Sequence, residues 1–247
     1  VVLVHGFTQT ARSWDRIAAA LRAGGHEVVT PDLPGHAGTE PLPMPAAATR
    51  LAAACGTGVW VGYSMGGRLC LHVALEHPSA VTGLVLLGAT AGIDDARARA
   101  RRRHDDERLA ARIEHLGVER FVGEWLAQPM FAGLPDDPVD RADRARNTAA
   151  GLAGALRLAG TGAQQPLWDR LGEIGLLGTP VLVLAGELDG KFKVAARRLA
   201  TGIGPTARVA WIPGAGHAAH LERPDAFLAE LRTFLASVGE PASGPAH

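Results

Sequence analysis

Short apolar runs rich in β-branched residues mark six strands along this chain, at residues 1–4, 26–30, 59–61, 81–87, 180–185 and 207–211. Val1-Val2-Leu3-Val4 and Val181-Leu182-Val183-Leu184 carry no polar alternation. Unbroken runs of this kind belong to strands covered on both faces, as in a parallel sheet. Amphipathic stretches expected to be helical lie between them, at residues 14–23, 46–54, 68–76, 192–200 and 224–238. Ser13 is the expected cap of the first. Strand and helix in alternation imply a doubly wound, mostly parallel α/β sheet. The alternation stops between residues 91 and 178. There the pattern is helical only, over 94–113, 118–126, 138–149 and 152–158. The expected organisation is a core of residues 1–90 and 179–238, with a helical cap (91–178) over the carboxyl ends of the strands, where open α/β sheets bind ligands. Residues 239–247 have linker composition and are expected to be a disordered tail.

Composition narrows the possibilities without naming a function. Twenty-five basic residues balance 25 acidic ones, so no net field favours nucleic acid or an anionic membrane. The two cysteines, Cys55 and Cys70, argue against a disulfide scaffold or a thiolate metal site and suit a reducing cytoplasm. No apolar run reaches the roughly 20 residues of a membrane span. The chain opens inside a strand and without Met, as one lacking a native N-terminal segment would. Nothing in the sequence decides between monomer and homo-oligomer.

The chemistry begins at Gly62-Tyr63-Ser64-Met65-Gly66, between a strand and a helix. A serine there, with glycines two residues to each side, has the form of a nucleophile elbow. A serine hydroxyl needs a histidine to take its proton and a carboxylate to orient that histidine. Asp189 follows the strand at 180–185, and His217 follows the strand at 207–211. Serine, acid, histidine, each after a strand, is the order expected of such a triad. Glu187 could replace Asp189, and His220 lies three residues past His217. Asp32 is expected to fix its own Pro/Gly loop, and His5 to brace the loop bearing Phe7. The backbone N–H groups of Phe7 and Met65 are the candidate oxyanion donors. Together, His5-Gly6-Phe7, the loop at residues 32–38, the elbow, Asp189 and His217 resemble the α/β-hydrolase superfamily over essentially the whole chain. The fold implied is the α/β-hydrolase fold with a helical cap insertion.

Arg68 sits one turn after Ser64, at a helix start where the dipole disfavours a cation and burial would make an unpaired charge costly. Either a carboxylate such as Glu187 or one from the cap neutralises it, or it awaits an anionic ligand. The arginines Arg97, Arg99, Arg101, Arg102 and Arg103 read as a solvated helix face with room for one to point inward. Lys191 lies beside Asp189 and reads equally as a surface residue. With the stretches at 125–131 and 160–164 and His217-Ala218-Ala219-His220, these features resemble the 2-succinyl-6-hydroxy-2,4-cyclohexadiene-1-carboxylate synthases of bacterial menaquinone biosynthesis. The resemblance implies a lyase, not a hydrolase. Such an enzyme eliminates pyruvate from 2-succinyl-5-enolpyruvyl-6-hydroxy-3-cyclohexene-1-carboxylate with no metal or cofactor, and Ser64, backed by His217 and Asp189, is its base. It further implies a small polycarboxylate substrate met by Arg68, by Arg102 (or Arg101 or Arg103), by Tyr63 and Trp125 lining the pocket, and by Lys191. The same triad suits a serine carboxylesterase or a C–C bond hydrolase, and a ligand-sensing protein on this fold is a third expectation.

Overall fold

A computed structural model describes residues 1–239; residues 240–247, most of the expected tail, lie outside the described residues. In chain order the elements are β1 (Val2–Val4), α1 (Asp15–Ala23), α2 (Met44–Cys55), β2 (Gly58–Tyr63), α3 (Met65–Glu76) and β3 (Val81–Leu87). Then come α4 (Ala96–Leu116), α5 (Val118–Leu126), α6 (Pro138–Arg144), α7 (Ala149–Ala159) and α8 (Leu171–Leu176). The chain finishes with β4 (Val181–Gly186), α9 (Gly190–Ile203), β5 (Ala207–Ile212), α10 (Ala219–Glu222) and α11 (Pro224–Gly239). All pairings among the five strands are parallel, in the order β1-β2-β3-β4-β5. Successive strand residues point to opposite faces of the sheet. Val2, Val4, Trp60, Leu84, Leu86 and Val183 therefore pack beneath α2, α3 and α9. Leu3, Val61, Val85, Leu87, Leu182 and Leu184 meet α1 and α11 on the other face. No described helix is long and apolar enough to cross a membrane.

Three local expectations give way. Residues 26–30 do not form a strand: Val29 makes one parallel bridge to Val2, its N–H donating to the Val1 carbonyl at 2.9 Å while its own carbonyl accepts from Leu3 at 2.9 Å. The segment lies at the sheet edge with Val29 43% exposed, and its ladder to β1 stops at the two bonds of Val29. The stretch expected as one helix at 138–149 is broken, because Thr148 caps α7 by accepting from the Gly151 N–H at 3.0 Å. Ser13 is not a cap. Thr10 takes that place ahead of a 3-10 turn over Ala11–Trp14, and the Ser13 hydroxyl is buried without a partner.

The elbow turns so sharply that its glycines leave no room for a methyl group. A Cβ on Gly62 would lie 2.5 Å from the Gly66 carbonyl oxygen, and one on Gly66 would lie 2.3 Å from that of Val4. Both obstacles are backbone and cannot swing aside. Gly66→Ala is therefore expected to force β1 and α3 apart and to cost at least the ~1–3 kcal/mol typical of overpacking. A thermal melt checks this; an unchanged Tm would mean that the turn relaxes more cheaply than its geometry implies.

Candidate active site

Ser64 bridges β2 and α3 with φ 52° and ψ −107°, a left-handed backbone that costs a non-glycine residue energy and is tolerated where the surroundings impose it. They do: its N–H donates to the Leu87 carbonyl at 2.8 Å and its carbonyl accepts from the Arg68 N–H at 3.1 Å. Asp189 caps α9, one carboxylate oxygen accepting from the Phe192 N–H at 3.2 Å. The other accepts from His217 Nδ1 at 2.8 Å. With the proton held on Nδ1, the lone pair of Nε2 faces the Ser64 hydroxyl at 3.3 Å. The imidazole is buried and held by the rings of Phe192 at 4.4 Å and Tyr63 at 5.2 Å. The three side chains expected to act together are brought together, on the loops where the strand pattern puts them.

The rival residues are engaged elsewhere. Glu187 accepts from the Gly214 N–H at 2.9 Å and pins the loop after β5. His220 is buried against Trp14 and Tyr63, and desolvation holds its pKa well below the usual range. His5 accepts from the Leu33 N–H at 2.9 Å, and burial lowers its pKa to about 4. It braces the loop after β1, as expected. Asp32 fastens the Ala11 N–H at 2.7 Å, thereby tying its loop to the turn ahead of α1.

Phe7 and Met65 both border the cavity beside Ser64. Met65 begins α3, where a backbone N–H has no intrahelical acceptor. The loop carrying Phe7 is held by groups that the sequence pattern does not single out. Thr8 adopts φ 68°; its hydroxyl receives Arg144 Nη1 at 2.6 Å and its carbonyl receives Asn147 Nδ2 at 2.9 Å. The Arg144 side chain is 2% exposed and its Nε donates to Asp140 at 2.6 Å. In sequence, Arg141-Ala142-Asp143-Arg144-Ala145-Arg146 looks like a solvated face; only the fold reveals that Arg144 is swallowed by the core. Helix α6 thus clamps the loop after β1.

A cavity of about 960 Å³ opens over Ser64 and His217, bordered by Tyr63, Arg68, Arg102, Trp125 and Lys191 among others. Trp125 borders the cavity while packing on Phe7 at 5.3 Å and Phe131 at 5.8 Å. Lys191 is exposed at the cavity wall. Of the arginine run, Arg102 borders the cavity whereas Arg101 and Arg103 are exposed. Its Nε donates to the buried carboxylate of Asp106 at 2.7 Å. Arg68 is 5% exposed. Neither Glu187 nor a cap carboxylate pairs with it; Nη1 donates instead to the neutral Gln164 Oε1 at 2.8 Å. Burial first, then repulsion from Arg102, lowers its pKa to about 9 against the pull of Asp106, which leaves it a cation at neutral pH. Neither Gln164 nor Asp106 is marked by any spacing in the sequence.

Residues 1–230 match the alpha/beta hydrolase family. A 2-succinyl-6-hydroxy-2,4-cyclohexadiene-1-carboxylate synthase of Escherichia coli O1:K1 / APEC is 32% identical, over 95% of this chain and 93% of that protein. The chain belongs to this synthase family of the α/β hydrolases. A Bacillus subtilis (strain 168) protein provisionally named for the same synthase is 34% identical over 96% of the chain and 90% of its own length. Among solved structures, MenH from S. aureus superposes with a TM-score of 0.87 at 31% identity, over 97% of this chain and 94% of that one. The likeness to the synthases includes the cap, the part of this fold that bears on substrate. A thermophilic esterase from Thermogutta terrifontis also superposes, with a TM-score of 0.78 at 27% identity, covering 97% of this chain and 90% of that one. The scaffold therefore does not choose the reaction; the side chains around Ser64 do.

Proposed function

We propose that this chain removes pyruvate from 2-succinyl-5-enolpyruvyl-6-hydroxy-3-cyclohexene-1-carboxylate, giving 2-succinyl-6-hydroxy-2,4-cyclohexadiene-1-carboxylate, with Ser64 as the base. The observation that carries this reading is a buried guanidinium without a carboxylate partner, Arg68, one helical turn from a triad serine. Hydrolysis of a neutral ester has no use for such a charge, whereas a polycarboxylate substrate supplies its missing partner. In this reading the reaction runs in the cytoplasm on a small soluble substrate.

The bond changes follow from the two ring systems. The C–H beside the succinyl carbonyl is acidified by that carbonyl. Ser64 Oγ takes this proton as its own passes to His217 Nε2, and Asp189 stabilises the imidazolium through Nδ1–H. Negative charge develops on the carbonyl oxygen, and the backbone N–H groups of Phe7 and Met65, both at the cavity beside Ser64, are the donors assigned to it. The electron pair then forms the new ring double bond to C2, the existing double bond shifts by one position, and the C5–O bond breaks. The leaving enolpyruvate takes up a proton, which His217 can supply, and becomes pyruvate. No bond to Ser64 is made at any step.

A coupled pyruvate assay on the purified protein tests this directly, with stoichiometric release of pyruvate and diene as the expected result. No pyruvate, together with fast aryl-ester turnover and a trappable acyl-Ser64, would replace the elimination by hydrolysis.

A further inference from the structure

The two arginines at the cavity are held by a layer that borders it only in part: Asp106, Gly160 and Thr161 line the cavity, whereas Gly162 and Gln164 do not. The cap loop at residues 160–164 is strapped onto α4. The Gly162 N–H donates to Asp106 Oδ2 at 3.0 Å, and Gly162 sits so close to α4 that a Cβ there would lie 2.3 Å from the Arg103 nitrogen. Asp106 Oδ1 meanwhile fixes Arg102. The same loop carries Gln164, 2% exposed, to Arg68. One carboxylate and one neutral amide thus stand behind two guanidiniums.

The choice of amide is costly. Gln164 Oε1 accepts from Arg68, but its Nε2 is buried with no partner. A glutamate of the same shape would lose no hydrogen bond at that atom and would neutralise a buried cation. Burying an unsatisfied donor is destabilising, and leaving a buried guanidinium without a counter-charge adds to that. If the only task at this position were to satisfy Arg68, glutamate would serve it better. We propose that Gln164 is a positioning and specificity-determining residue: it aims the Arg68 fork at the cavity while leaving its charge free for a carboxylate of the ligand. Stability is given up so that the missing counter-ion is the substrate's own. The consequence is a site selective for anionic over neutral ligands, with Asp106 holding the second guanidinium to a net excess of one positive charge.

The proposal rests on the elimination reading, and its test separates the two. Gln164→Glu is expected to raise KM for the polycarboxylate by about tenfold to a hundredfold, the worth of one charge-assisted hydrogen bond, with a much smaller change in kcat. Its Tm should equal or exceed that of the parent. A merely structural role predicts the opposite split, with Tm and kcat falling and KM steady, and that result would overturn the assignment. So would a KM within about twofold of the parent. Gln164→Leu keeps the charge uncompensated but removes its guide; it should lower Tm and raise KM less than Arg68→Ala does. Equal damage from the two would overturn the proposal, and this variant decides the matter if the glutamate variant does not fold. Titration with succinate, which needs no turnover, is expected to show binding to the parent that is lost in Gln164→Glu. Equal binding to both, or none to the parent, counts against the proposal. Absence of pyruvate from the parent enzyme would instead remove the elimination reading, with the succinate titration still deciding the role of Gln164.

Discussion

Ser64→Ala is expected to lower kcat by about 10²–10⁴-fold, the range for loss of a positioned general base, while leaving the fold intact. Alanine fits the same backbone conformation, and the elbow's geometry is enforced by Gly62, Gly66 and the bond to Leu87 rather than by the hydroxyl. His217→Ala should cost a similar factor, because the hydroxyl at 3.3 Å from Nε2 has no other acceptor in place to take its proton. The two losses should not multiply: residues that act as one unit are grossly non-additive, so the double variant should be little worse than either single one. Single-turnover kinetics on all three variants check this. A Ser64→Ala enzyme with parental kcat would mean that His217 removes the proton itself and that the hydroxyl is a bystander. A double variant far slower than either single would mean that the two side chains work independently.

The extent to which this site could be read from sequence follows from how local each constraint is. Ser64, Asp189 and His217 are legible because a parallel sheet places each loop after a strand at the same edge, and the strand pattern gives their order. The glycines beside Ser64 are legible for a similar reason, since a strand turning at once into a helix leaves no space for side chains. Arg68 is legible as an anomaly, a cation at the dipole end of a buried helix, though its partner is not. Gln164 lies 96 positions away along the chain, and nothing local marks a glutamine in a Gly-rich loop as the neighbour of an arginine. Arg144 was hidden for the opposite reason. It belongs to a charged stretch whose composition says solvent, and only the docking of α6 on the loop after β1 buries it. The edge segment at residues 26–30 misleads because strand propensity is a statement about covered, pleated surface, and His26, Glu27 and Val29 of this segment are exposed.

Arg68→Met should separate stability from function most sharply. Replacing a buried, uncompensated charge by an apolar side chain of similar length is often neutral or stabilising by ~1–4 kcal/mol, so Tm is expected to hold or rise. Against this runs the unsatisfied Gln164 oxygen, worth ~1–3 kcal/mol at most, which can rotate to seek another donor. Activity should move the other way. Truncating one member of a buried charge pair costs ~2–5 kcal/mol, so kcat/KM for the polycarboxylate should fall by roughly 30-fold to several thousandfold. Arg68→Lys should recover only part of the loss, since a point charge cannot reproduce a planar fork. Paired melting curves and steady-state kinetics on these variants read both effects. A fall in Tm with little change in kcat/KM would mean that Arg68 supports the cap through Gln164 and never meets the substrate. A rise in Tm beside a collapse in kcat/KM would mean that the fold carries a strained charge beside Ser64 because the reaction needs it there.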